Sequence, residues 1–282
     1  MSIKFIRGII PYNMHLLFSS LGDILMKLLS NDIAFVQIVF LRHIVAAIIL
    51  IPVILYYNKK YFYTDYLYVN FLRGFILSAA FSIWIYGLQW ITIPTATVIN
   101  FTTPFFIVIL SYLFLKEPIS KGIVLMICCG FIGALITLDP NNIYINPNIF
   151  IIILAPALFA LTDIINKYYV DKDSMITSLF YTSLAIAFFA AIPTYYLWQP
   201  ISYKIYIIIF IAAIVSNLLF WFLLKAYSQE KVSFFAPYRY MEIVFSIILS
   251  YFFFHDSLSY STILGAIIII PSSLYSVMRN RS

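Results

Sequence analysis

The chain has 282 residues, of which 63% are hydrophobic and 10% charged, with a mean hydropathy of +0.99. A soluble domain carries about a quarter charged residues, and one of this length has too little interior to hide so much apolar surface from water, which excludes a soluble enzyme, a nucleic-acid reader and a disordered scaffold. The formal charge of +6 comes from 17 Lys and Arg spread thinly along an apolar chain, so it is read as membrane topology.

A spanning helix needs about 20 mostly apolar residues. Ten such runs follow one another, at 8–29, 33–57, 66–90, 94–115, 120–139, 147–169, 175–197, 203–227, 232–254 and 259–278. The first is too long, and too soon followed by a second, for a cleaved signal peptide, and it lacks a small-residue cleavage site. The runs are continuously apolar rather than alternating, which favours helices over a barrel. The expected fold is an all-α membrane protein with ten transmembrane helices. The segments between them are too short for a separate domain, and Cys128 and Cys129 lie together in an apolar run as packing residues.

Basic residues give the orientation. With the N-terminus inside, the cytoplasmic segments hold Lys4 and Arg7, Lys59 and Lys60, Lys116 and Lys121, Lys167 and Lys172, Lys225 and Lys231, and Arg279 and Arg281. The outer segments hold little beyond Lys204, and residues 139–148 have no Lys or Arg. This asymmetry predicts both termini in the cytoplasm.

The chain also repeats itself. Asp23-Ile24-Leu25-Met26-Lys27 in the first run returns as Asp163-Ile164-Ile165-Asn166-Lys167 in the sixth, 140 residues later. Leu115-Lys116-Glu117 at the end of the fourth run matches Phe254-His255-Asp256 at the end of the ninth. Residues 1–139 and 140–282 then form two halves of five helices each. An odd number of spans per half turns equivalent helices in opposite directions, the inverted repeat of secondary transporters, whose substrate site lies near the midplane.

Ionisable side chains at membrane depth cost about 2.5–3.5 kcal/mol each on the lenient insertion scale, so each is a site candidate. Asp23 and Lys27 share a helix face at i,i+4, as do Asp163 and Lys167. They form a gate or substrate contact, or else a self-neutralising pair with the lysine snorkelling outward. Arg42 lies deep in the second run and offers a fork for a substrate carboxylate, or a partner for a buried acid such as Asp23. His43 points to another face as a packing residue, and His15 and His255 read the same way. Arg73, in the first turns of the third run, reads as a positive-inside anchor.

The ninth run holds the densest group, Pro237-Tyr238-Arg239-Tyr240-Met241-Glu242. Arg239 and Glu242 can pair at i,i+3, and Pro237 loosens the helix before them. The matching fourth run has Asn100, Thr102, Thr103 and Pro104. An interruption at membrane depth is tolerated where it lines a cavity, so these two runs are expected to line the pore, or else to form a structural kink with a buried ion pair. Trp84, Tyr86 and Trp90 in the third run, with Trp221 in the eighth, offer rings for a cationic or heteroaromatic substrate, or serve as belt and core. No HExxH, Walker-type glycine loop or metal-spaced cluster is present, so no cofactor, metal or enzymatic activity is expected.

These features resemble the drug/metabolite transporter superfamily, in its EamA-type branch. Further segments are similar to the S-adenosylmethionine uptake transporters of obligate intracellular bacteria. They are Trp84-Ile85-Tyr86-Gly87-Leu88, Thr95-Ala96-Thr97-Val98, Leu161-Thr162-Asp163-Ile164-Ile165-Asn166-Lys167, Ser174-Met175-Ile176, Leu179-Phe180-Tyr181, Ala236-Pro237-Tyr238-Arg239-Tyr240, Gly265-Ala266 and Ile268-Ile269-Ile270-Pro271. The resemblance implies a ten-helix carrier of the bacterial inner membrane, exchanging imported S-adenosylmethionine for S-adenosylhomocysteine by alternating access. The alternative is an amino-acid or drug exporter of the same superfamily, coupled to protons. The implied partners are a small metabolite and the lipid bilayer, with no nucleic acid. The candidate substrate residues are Asp23, Arg42, Trp84, Tyr86, Asn100, Asp163, Tyr238, Arg239 and Glu242. The low glycine count of 8 departs from helix bundles that pack through small residues.

Overall fold

Lipid cannot hydrogen-bond a polypeptide backbone, so an apolar run at membrane depth must pair its own amides and carbonyls as a helix. The computed structural model describes residues 3–29, 32–88, 99–137, 152–254, 264, 267–269 and 271. Its elements are α1 (Ile3–Leu29), α2 (Phe35–Tyr57), α3 (Leu67–Leu88), α4 (Thr103–Leu115), α5 (Lys121–Thr137), α6 (Leu154–Tyr169), α7 (Met175–Tyr196), α8 (Tyr203–Tyr227), α9 (Val232–Phe235) and α10 (Met241–Phe254). Short 3-10 turns occupy Lys59–Phe62 and Ala236–Tyr240.

Helix therefore falls on each of the first nine expected runs among the described residues, and no strand does. The tenth run lies mainly outside them, as does the expected boundary between the halves at 139/140. Among the described residues, the segments long and apolar enough to cross a membrane are Phe35–Tyr57, Leu67–Tyr86, Met175–Tyr196, Tyr203–Tyr227 and Val232–Leu249. Thr103–Leu115 and Lys121–Ile136 are apolar but shorter.

The chain divides into two compact units. Unit 1 comprises Met1–Ser82 and Ile165–Gln229, and unit 2 comprises Ile83–Ile164 and Glu230–Ser282.

In unit 1, α8 packs on both α1 and α2, and α2 packs on α7. One apolar cluster gathers Ala47, Leu50 and Ile54 of α2 with Leu179 and Phe180 of α7 and Leu224 of α8. The first turns of α3 press on α7 at Gly74. A β-carbon there would overlap the Ala185 β-carbon and lie 3.0 Å from backbone atoms of Ala185 and Ile186, so only glycine fits. Polar side chains close the backbone groups that the helices leave open. Thr177 and Tyr181 of α7 donate hydroxyls to the carbonyls of Tyr61 and Phe62 in the 3-10 turn, at 2.9 and 2.6 Å. Gln37, at the start of α2, takes the place of a strand partner for Gln199. Its amide donates to the Gln199 carbonyl at 2.8 Å and its carbonyl receives the Gln199 amide at 2.9 Å.

Arg73 departs from the expected interfacial anchor. It is 1% exposed, because α7, α8 and the turn after α6 cover the first turns of α3. Its Nη1 donates to Asn70 Oδ1 at 3.0 Å and Thr182 Oγ1 at 3.3 Å, and its guanidinium lies 6.0 Å from the Phe220 ring centre. Asn70 passes the interaction on to Asp173, which also receives the Thr64 hydroxyl.

In unit 2, the 3-10 turn Ala236–Tyr240 sits against α4, α5, α9 and α10. Tyr240 is fully buried there, with its hydroxyl donating to the Phe101 carbonyl at 3.3 Å and its ring 5.5 Å from that of Phe101. Gly130 of α5 makes this possible, since a β-carbon at that position would overlap the Tyr240 ring.

Candidate functional site

The expected interruption of the ninth span is present. α9 gives way at Ala236 to a 3-10 turn with Pro237 in its first positions, and regular helix resumes at Met241. Proline has no amide hydrogen and its ring clashes with the preceding turn, so tighter 3-10 geometry relieves the segment. The fourth apolar run is interrupted as well, by a turn. Ile99 and Asn100 are helical, Phe101 and Thr102 turn, and α4 starts at Thr103 with Pro104 beside it. The threonines take up the freed carbonyls. Thr102 donates to the Ile99 carbonyl at 2.6 Å, and Thr103 to the carbonyl of Asn100 at 2.5 Å and to its Oδ1 at 3.3 Å.

Within unit 2 the broken ninth span presents Arg239 to α6. Its Nη1 donates to Asp163 Oδ2 at 3.0 Å, and the two side chains are 14% and 8% exposed. The i,i+3 spacing points to Glu242 on the same helix. The structure joins Arg239 to an acid 76 residues earlier in the chain, on α6. Glu242 is buried in the first turn of α10. Lys167, four residues after Asp163, donates to the Tyr227 carbonyl at 2.6 Å in unit 1, where an ammonium complements the C-terminus of α8.

Beside Arg239, Tyr238 is 1% exposed, and its hydroxyl has no hydrogen-bond partner among the described residues. A buried phenol normally finds a partner, and leaving one unpaired costs about 1–3 kcal/mol. Asn100 is half-buried, Trp84 is half-buried and Tyr86 is exposed. Trp90 lies outside the described residues.

Unit 1 carries the other expected charges. Arg42 and His43 are both buried in α2. The Arg42 guanidinium lies 4.8 Å from the Phe81 ring centre, and its Nη2 is 3.5 Å from His43 Nε2. His43 Nδ1 approaches the Val39 carbonyl at 2.9 Å. Arg42 Nε has no partner among the described residues. Asp23 is exposed. His15 packs as expected, with Nδ1 3.1 Å from the Leu219 carbonyl. Trp221 carries the Lys225 ammonium 4.5 Å from its ring centre, a cation–π contact.

In the sequence Glu117 stands out only as a repeat marker. In the structure it is buried, and its carboxylate receives the amides of Val232 and Ser233 and the Ser233 hydroxyl. A charge at the end of an apolar run was the one signal that could have found it. No group of three or more potential metal ligands occurs among the described residues.

Similarity to known proteins is extensive. The model of the EamA-like transporter family matches residues 8–139 and again 146–278. An S-adenosylmethionine uptake transporter of Rickettsia conorii is 36% identical over 274 residues, 97% of this chain and 93% of that protein. One of Rickettsia bellii is 37% identical over 272 residues, covering 96% and 93%. A riboflavin transporter of Brucella anthropi is 25% identical over 254 residues, covering 88% and 89%. A solved crystal structure shares the fold at a TM-score of 0.80 and 14% identity, covering 96% of this chain and 98% of that one.

Proposed function

The chain belongs to the EamA-like transporter family, and on that premise we propose that it imports S-adenosylmethionine across a bacterial inner membrane. The cargo leaving in exchange is S-adenosylhomocysteine, and the carrier works by alternating access. The observation that carries this reading is the likeness, over 97% of the chain at 36% identity, to a transporter named for that uptake. The two successive family matches support two five-helix halves, 1–139 and 140–282, and ten spans in all. The basic residues support cytoplasmic termini.

The chemistry of unit 2 suits such a cargo. S-adenosylmethionine carries a carboxylate, an ammonium, a sulfonium and an adenine. An ion pair held at membrane depth offers one charge of each sign, so a zwitterion exchanges salt bridges instead of facing bare lipid. Arg239 takes the carboxylate, Asp163 or Glu242 faces a positive centre, Trp84 or Tyr86 stacks the adenine, and Tyr238 and Asn100 supply hydrogen bonds. In unit 1, Arg42 is a second fork for a carboxylate, with Asp23 as its acidic companion.

The test is uptake of labelled S-adenosylmethionine into vesicles containing the purified protein, chased with unlabelled S-adenosylhomocysteine. Efflux of label on the chase supports exchange. Flat uptake, with Arg239→Ala changing nothing, overturns both substrate and site. A counterflow panel with riboflavin, amino acids and an imposed proton gradient separates the exporter reading.

A further inference from the structure

We infer that Glu117 is a positioning residue that docks the turn after α4 onto the start of the interrupted ninth span, and so sets where Tyr238 and Arg239 stand relative to Asp163. All these residues belong to unit 2. The functional half of the inference rests on the substrate role given above to Arg239 and Asp163.

Local geometry prepares the contact. α4 ends at Leu115, and the capping residue after it, Lys116, has a left-handed φ of 53°, the single positive φ of a non-glycine among the described residues. Such a conformation is unfavourable for a side chain with a β-carbon and persists where surrounding interactions over-determine it. Here the amides of both Lys116 and Glu117 close on the Ser111 carbonyl, the latter at 3.3 Å, which is the helix-ending pattern that usually takes glycine. The reversal carries Glu117 out of the helical path and into the protein, leaving it 6% exposed.

The carboxylate then meets three donors from one short stretch. The Val232 amide donates to Oε1 at 3.3 Å, the Ser233 amide to Oε2 at 3.0 Å, and the Ser233 hydroxyl to Oε2 at 2.5 Å. These amides begin a helix, so their own segment gives them no carbonyl, and an anion is the favoured partner. α9 is only Val232–Phe235, and the 3-10 turn with Tyr238 and Arg239 follows without a break. A four-residue helix cannot hold its own direction. The approach to the 3-10 turn is held by packing along its side against α4 and α5, by Glu117 at Val232–Ser233 and by the Tyr240–Phe101–Gly130 packing at its far end.

The test uses the full-length protein with Cys128→Ser and Cys129→Ser, carrying Ala236→Cys as a thiol probe at a fully buried position of similar size. Glu117→Gln keeps the shape but loses the charge and sets an amide group against three donors. Alkylation of the probe by N-ethylmaleimide in reconstituted vesicles is expected to speed up about tenfold or more, the worth of the lost charge-assisted bonds. The KM for labelled S-adenosylmethionine is expected to rise by about the same factor while the maximal rate changes by less than about twofold. Glu117→Asp keeps the charge on a shorter stem and falls between. If Glu117→Gln does not fold, Ser233→Ala removes one donor alone and gives the same two changes at smaller size.

Unchanged alkylation in a folded variant overturns the docking. Faster alkylation with an unchanged KM overturns the positioning role. Absence of S-adenosylmethionine uptake by the parent protein instead sinks the substrate reading, and the alkylation arm still decides the docking.

Discussion

Arg239 Nη1 lies 3.0 Å from Asp163 Oδ2, joining a broken helix near the end of the chain to one near its middle. Both side chains are largely buried, so each charge is tolerated because the other is there. Replacing either residue breaks this buried pair, and Arg239→Ala or Asp163→Asn is expected to destabilise by about 3–5 kcal/mol. Combining Asp163→Asn with Arg239→Gln removes both charges and is expected to recover most of the thermal stability. Uptake stays at least about tenfold down in that double variant, since charge pairs of this kind carry about 2–5 kcal/mol in recognition. Thermal unfolding in detergent and vesicle uptake check the two arms.

Gly130→Ala drives a methyl into the Tyr240 ring, which the backbone of α5 cannot relieve by rotating a side chain. A loss of about 1–3 kcal/mol is expected. Tyr240→Phe loses only the bond to the Phe101 carbonyl, about 0.5–1.5 kcal/mol, and does not rescue Gly130→Ala because the clashing ring carbons remain. Tyr240→Leu does rescue it in part. A double-mutant cycle on unfolding temperature reads the coupling.

Arg73→Lys distinguishes a buried fork from an interfacial anchor. An anchor tolerates lysine, whereas Nη1 reaches both Asn70 and Thr182 while the guanidinium carbon lies 6.0 Å from the Phe220 ring centre. Lysine is one heavy atom shorter than the path to Nη1, so its ammonium falls short of both acceptors, and the planar group near Phe220 is lost. Arg73→Lys is expected to cost about 1.5–3 kcal/mol, the worth of a hydrogen bond to a charged group. No loss in unfolding temperature would return Arg73 to the role of anchor.

Gly74→Ala tests the close approach of α3 and α7. With the Ala185 β-carbon in the way and backbone at 3.0 Å, the added methyl is expected to cost about 1–3 kcal/mol. Ala185→Gly relieves the side-chain clash but leaves the backbone one, so rescue is incomplete. Unfolding of the single and double variants measures the difference.

Much of the architecture was legible because lipid imposes a coarse rule on sequence. Among the described residues the apolar runs became helices, and Pro237 and Pro104 marked where the ninth and fourth runs break. The interruption was readable because proline acts on its own neighbours. The partner of Arg239 was not readable. Asp163 lies 76 residues earlier, and spacing along one helix says nothing about which residue of another helix is brought beside it. Arg73 was misread for a related reason, since distance from a helix start says nothing about which other helices cover that turn. Glu117 gave only its place in a repeat.

By itself, then, the sequence determined the solvent of this protein, the runs that become helices and the short inventory of charges that lipid must tolerate, because all three follow from local composition. Tertiary structure alone decided which charges meet. Asp163 with Arg239, Glu117 with Ser233 and Arg73 with Thr182 join residues 76, 116 and 109 positions apart. Such pairings depend on how helices are rotated and seated, and a turn of one residue, about 100° in a helix of 3.6 residues per turn, redirects a side chain completely.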